Sequence, residues 1–256
     1  MRAVCDRMIM RAMRGHFRGV YLLDRDPLGA DEAAIVFANH HNWWDGYFVH
    51  LMAKRWRPGN SMVWMRELGS NRPLALLGAM PLPAEDAATR RKTIRRTVQA
   101  LKRSPAALFL FPEADMHPPP KVHAFERGLH WLHQRLEHAV LKPLAIHIEY
   151  GDHQYPQAFL LGGERFICDS EGQTEWLAQA QEAVAKLLDD LRDPAKLAEG
   201  SFECLLAGRL STEERRCSGG RRDHPRPVVG HRGRFRAPAG AQHGKDRTPG
   251  ETLPER

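Results

Sequence analysis

Two short, unbroken apolar runs, Ala33–Phe37 and Ala106–Phe111, constrain this chain most. Neither alternates with polar residues and each is strand-length, so each reads as a strand buried on both faces of a parallel sheet. Strands are also expected over Ser61–Met65, Val140–Tyr150 and Gln157–Cys168. Helices are expected over Gly46–Arg55, Glu85–Arg103, Glu126–Glu137 and Gln173–Arg192, with a short one over Arg72–Leu77. Ile94, Val98 and Leu101 mark the inward face of the second long helix, with Lys92, Arg96 and Arg103 opposite. The pattern predicts an α/β fold: one domain over 21–210, a mostly parallel mixed sheet flanked by helices.

Ligands in such sheets bind where the strands end. The first run passes directly into Ala38-Asn39-His40-His41-Asn42-Trp43-Trp44-Asp45-Gly46. Four residues separate His40 from Asp45, a spacing that lets a turn bring the carboxylate back to one imidazole nitrogen while the other faces a substrate. An Asp held that way fixes the tautomer and stabilises the imidazolium. No Ser, Thr or Cys lies in the stretch, so the substrate supplies the hydroxyl and His40 is the candidate general base. The second run ends at Phe111-Pro112-Glu113, which places Glu113 beside the same crevice. Trp43 and Trp44 read as packing residues that hold the His loop. His130, His133 and His138 lack convincing metal-ligand spacing and read as surface residues.

These residues resemble the glycerolipid (1-acylglycerol-3-phosphate) acyltransferases, whose first motif is Asn-His-x4-Asp. Asn39, His40 and Asp45 match it. Met65-Arg66-Glu67-Leu68, Phe111-Pro112-Glu113, Phe125 with Gly128, and Lys142-Pro143-Leu144 follow in the family's order, covering about residues 15 to 150. The resemblance implies catalysis by His40 and Asp45, with Asn39, Arg66, Phe111, Pro112 and Glu113 as the substrate-binding set and Glu113 helping to bind the acceptor. Two family arginines that bind the acceptor's phosphate have no counterpart here: their positions hold Ala84 and, after Ala114-Asp115, Met116. Arg66, Arg90 and Arg91 are the candidate replacements; otherwise the acceptor carries no phosphate.

Charge is segregated along the chain. From 215 onward lie eleven of the 38 Lys and Arg but four of the 31 acids, so the remainder carries 27 of each. The expected organisation is a basic amphipathic helix over 1–20, the domain over 21–210, and a basic disordered tail over 211–256. In the first segment Arg7, Arg11, Arg14 and Arg18 fall on one face and Met1, Cys5, Met8, Ile9, Ala12 and Met13 broadly on the other. Two readings stay open: the helix lies in an anionic membrane surface, or packs its Met face on the domain. The tail reads either as a binder of anionic phosphates or as the product of a shifted frame in a GC-rich gene. No apolar run is long enough to cross a membrane, and four scattered cysteines suit a reducing compartment.

The expected function is an O-acyltransferase. It moves a fatty acyl group from acyl-CoA or acyl carrier protein to a lysophospholipid-like hydroxyl, or to an unphosphorylated lipid or glycolipid. No metal or bound cofactor is required, and the partners are the donor thioester, the lipid acceptor and a peripheral membrane surface on the inner, cytoplasmic side. No specific nucleic acid is expected. The alternative from another class is a non-catalytic membrane or nucleic-acid binding protein.

Overall fold

The computed structural model describes residues 1–151, 153–199 and 201–217, apart from the side chains at 70–72, 199 and 217. Most of the expected basic tail therefore lies outside the described residues. In chain order the elements are α1 (Arg2–His16), β1 (Gly19–Asp24), β2 (Ala34–Ala38), α2 (Asp45–Trp56), β3 (Ser61–Met65), a 3₁₀ helix (Gly69–Leu77), β4 (Ala79–Pro81), α3 (Ala87–Arg103) and β5 (Ala107–Leu110). They continue with α4 (Gly128–Arg135), β6 (Val140–Glu149), β7 (Gln157–Gly162), α5 (Gln173–Arg192), α6 (Pro194–Glu199), β8 (Glu203–Ala207) and α7 (Thr212–Cys217).

The strands form one sheet in the order β4-β3-β5-β2-β6-β7-β1-β8. From β4 to β6 all neighbours are parallel, so five strands share one carboxyl edge. β7 runs antiparallel to β6, β1 parallel to β7, and β8 antiparallel to β1. The all-apolar β2 and β5 sit side by side at the centre and are buried along their whole length, as doubly covered strands must be. One core layer, with Ile9, Met13, Phe48 and Met52, lies under α1 and α2. The other, with Leu101, Leu129, Trp176 and Leu188, lies under α3, α4 and α5 on the opposite face.

Several boundaries differ from the sequence expectation. Gly162 ends β7, and the following residues leave the ladder, with the Gly163 amide bonded to the Pro143 carbonyl. In α3 the buried positions are Thr93, Thr97 and Leu101, while Ile94 and Val98 are half-buried. The hydroxyls explain the rotation. Thr93 Oγ1 donates to the Pro81 carbonyl at 2.7 Å, and Thr97 Oγ1 accepts from Trp64 Nε1 at 2.9 Å, so two polar side chains face inward with their bonds made. Gly78 closes the 3₁₀ helix at φ 102°, where a Cβ would stand 2.3 Å from the Ser61 carbonyl oxygen. Only glycine fits there.

Arg18 does not join the arginine face of α1. The helix ends at His16, and Arg18 is buried, bonded to Glu214 of α7 at 2.8 Å and to Gln157 at 3.1 Å. The domain's expected end near 210 falls between β8 and α7, and this ion pair ties α7 to the start of β1. α1 itself packs on the domain through Ile9 and Met13, with Asp6 accepting from Lys54 and His50 of α2. Met1, Val4 and Met8 nevertheless point outward, 92, 50 and 66% exposed.

Candidate active site

The site stands on the carboxyl edge of β2 and β5. After Ala38 the chain winds tightly into α2, and the winding is organised by one oxygen. Asp45 Oδ2 accepts from the backbone amides of His41 and Asn42, each at 2.8 Å, and lies 3.1 Å from His40 Nδ1. Asn42 Oδ1 in turn accepts from the Trp44 amide at 3.0 Å. Asp45 is 1% exposed and opens α2, where an anion also suits the positive end of the helix dipole. Since a carboxylate only accepts, His40 carries its proton on Nδ1 and leaves the Nε2 lone pair for another molecule. The ring lies flat on Phe111, centroids 4.3 Å apart, and the side chain keeps 24% of its surface exposed. An oriented imidazole with one nitrogen held by a buried carboxylate and its other lone pair unclaimed can take a proton from a bound hydroxyl.

Glu113 is the second buried carboxylate, 5% exposed, and its contacts are of another kind. Oε1 accepts from the His40 amide and Oε2 from the His123 amide, both at 2.7 Å. It thus ties the start of the His loop to the segment that follows the Pro118-Pro119-Pro120 run. Pro112, the preceding residue, is also buried, and Phe111 supplies the face on which His40 rests. The turn after Glu113 is held by Ala114 at φ 64°, a left-handed conformation carried by a non-glycine residue. His117 donates its amide to the His40 carbonyl at 2.9 Å, and its ring stacks on His123, so this connection is bonded to the His loop.

Asn39 is fully buried and faces the sheet. Its side chain spans to β6, accepting from the Ile146 amide at 2.8 Å and donating to the Ile146 carbonyl at 3.0 Å. It thereby extends the β2–β6 pairing by one residue and fixes where His40 begins. Its Nδ2 also meets His41 Nδ1 at 3.2 Å, while His41 Nε2 donates to the Lys121 carbonyl at 2.9 Å. His41 is therefore a strut of the loop, a role its sequence position gave no means of separating from that of His40.

Arg66 lies beyond β3 on the same edge, exposed and ion-paired with Asp115. Arg90 reaches back from α3 and donates to the carbonyls of Pro83 and Ala84, so a guanidinium stands beside the uncharged Ala84. Trp44 packs against Phe17 and Tyr47, but Trp43 is 64% exposed, which departs from the packing expected of it. His130 is buried and His133 stacks on Trp176, so this pair belongs to the core side of α4. Sequence reading passed over His147 and Glu149 on β6, whose side chains meet at 3.3 Å. Their i, i+2 spacing on a strand was the available signal. Burial depresses the His147 pKa, opposed by Glu149 and reinforced by Arg192 and His41.

Comparison with known proteins shows the family of the chain. The acyltransferase family model matches residues 20–147, half of the chain. No curated protein sequence matches. Among solved structures, the fold is similar to that of the 1-acyl-sn-glycerophosphate (LPA) acyltransferase PlsC from Thermotoga maritima. The TM-score is 0.54 at 18% identity, covering 75% of this chain and 80% of that one. The matched region contains β2, the His40–Asp45 loop, β5 and Glu113, and the chain belongs to the acyltransferase family and is an acyltransferase.

Proposed function

We propose that the chain transfers a fatty acyl group from a thioester, acyl-CoA or an acyl carrier protein, to the hydroxyl of a lysophospholipid-like acceptor. His40 Nε2 takes the hydroxyl proton, and Asp45 steadies the imidazolium. The acceptor oxygen attacks the thioester carbonyl, a C–O bond forms, and the C–S bond breaks on collapse of the tetrahedral intermediate. The imidazolium returns its proton to the departing thiolate, giving ester and thiol. The balance closes without a metal or bound cofactor. The observation that carries this reading is the His40 ring, fixed through Nδ1 by Asp45 and open at Nε2.

For a phosphorylated acceptor, Arg66 and Arg90 are the guanidinium groups proposed to replace the absent arginines at Ala84 and Met116. A second reading, an unphosphorylated lipid or glycolipid acceptor, is favoured by the Arg66–Asp115 pair, which already occupies one of these cations. We place the enzyme peripherally on the inner face of the cell membrane. The outward Met1, Val4 and Met8 of α1, beside Arg7, Arg11 and Arg14, support that placement. No helix among the described residues is long and apolar enough to cross a membrane. Turnover of a radiolabelled donor against matched phosphorylated and neutral acceptors tests the assignment. Strict dependence on phosphate, lost in Arg66→Ala or Arg90→Ala, supports the first reading; equal use of neutral acceptors supports the second.

A further inference from the structure

α3 contains seven Lys or Arg in 17 residues and no acid. Arg90 turns toward the Pro83 and Ala84 carbonyls, and the other six, among them Arg91, Lys92, Arg95 and Arg96, are exposed. None of the six makes an ion pair among the described residues. Arg91 with Arg95, and Lys92 with Arg96, stand at i, i+4, a spacing at which like charges destabilise a helix. Nothing within the described chain offsets that repulsion.

Position and surface chemistry narrow the partner. α3 follows β4 of the parallel set, so its first turn lies at the carboxyl edge of the sheet, and it packs on Trp64 of β3 and returns into β5, which ends at the site. α1 is also basic but shows Met1, Val4 and Met8 outward, the apolar ridge that insertion into lipid requires. The exposed positions of α3 are Lys, Arg, Gln99 and the small Ala88, with no large apolar side chain among them. The two helices pack on opposite faces of the sheet, Ile9 and Met13 in one core layer and Leu101 in the other. A bilayer against α1 leaves the outer face of α3 in water.

We propose that the outer face of α3 docks an acidic, water-soluble protein that presents the acyl group as a thioester at the carboxyl edge of the sheet. This rests on the thioester-donor reading above. Complementary charge sets encounter rate and orientation without requiring a large apolar interface.

The test uses the full chain and the triple charge reversal Lys92→Glu, Arg95→Glu and Arg96→Glu. Binding of a labelled acyl carrier protein is followed by fluorescence anisotropy at low and high salt, and turnover is measured on the same acyl group carried by that protein or by an uncharged N-acetylcysteamine thioester. The expected result is salt-sensitive binding by the wild type, weakened roughly tenfold or more in the variant. KM for the carrier-borne donor rises to match, and turnover of the small thioester is unchanged, which also shows that the variant is folded. Wild-type protein that does not bind the carrier, or binding indifferent to the reversal, overturns the proposal. So does a reversal that abolishes adsorption to phosphatidylglycerol vesicles and leaves carrier binding intact. Failure of the wild type to turn over the small thioester with any acceptor counts instead against the thioester-donor reading.

Discussion

Asp45 and Glu113 lie on the same edge of the sheet, both buried, each a few residues past the end of one of two adjacent strands, Asp45 as the first residue of α2 and Glu113 in a loop. Each accepts two backbone amides, and each helps to hold His40. The difference is one contact: Asp45 also meets the His40 imidazole, whereas the two oxygens of Glu113 go to the amides of His40 and His123. Two similar carboxylates thereby hold different groups, one bonded to the His40 imidazole and one to backbone amides alone. Burial and residue type do not by themselves separate the two carboxylates; the bonding partner does.

The comparison can be broken by exchanging the groups one at a time. His40→Ala removes the proposed base and should lower the rate of acyl transfer by roughly 10²- to 10⁴-fold with the folded protein intact. Asp45→Asn should approach that loss, since an amide in its place disturbs the tautomer and no longer stabilises the imidazolium. Glu113→Gln should separate from both. It sets an NH₂ against a backbone N–H, so it should cost about 1–3 kcal/mol in denaturant unfolding and reduce the rate far less than Asp45→Asn. A Glu113→Gln variant of unchanged stability but with the rate of Asp45→Asn would erase the distinction.

Smaller effects sharpen the same picture. Ala114 holds a left-handed turn directly after Glu113, so Ala114→Gly should stabilise the protein by about 1 kcal/mol without altering the rate. Burial keeps the His147 pKa below its usual 6.5, so the unfolded chain takes up a proton first as the pH falls. Stability from this group is complete above 6.5 and is lost as the pH drops below it toward the folded value. Thermal melts between pH 7.5 and 5.5 should therefore show declining Tm, with a shallower decline in His147→Gln.

What could be read in advance was what is local. The end-to-end apolar β2 and β5 announce a doubly covered parallel sheet, α5 keeps the expected bounds Gln173–Arg192, and His40 with Asp45 are close because a single turn joins them. What could not be read depends on partners far along the chain. Arg18 continues the spacing of Arg7, Arg11 and Arg14, yet the backbone leaves the helix at Phe17 and its carboxylate partner is 196 residues away. Glu113 can be placed at a strand end from the sequence, but its bond to the His123 amide, beyond the Pro118-Pro119-Pro120 run, cannot. Thr93 and Thr97 face inward because an indole and a carbonyl from β3 and β4 await them, which no helical period discloses.

The most direct test of the His40–Asp45 coupling is a double-mutant cycle on acyl transfer, with wild type, Asp45→Asn, His40→Ala and the double variant assayed by radiolabelled ester formed. If Asp45 acts through the imidazole, Asp45→Asn should cost a large factor in the wild type and almost nothing once His40 is gone. Equal factors in both backgrounds would mean that Asp45 contributes independently of His40, and would contradict the assignment of His40 as the base it orients.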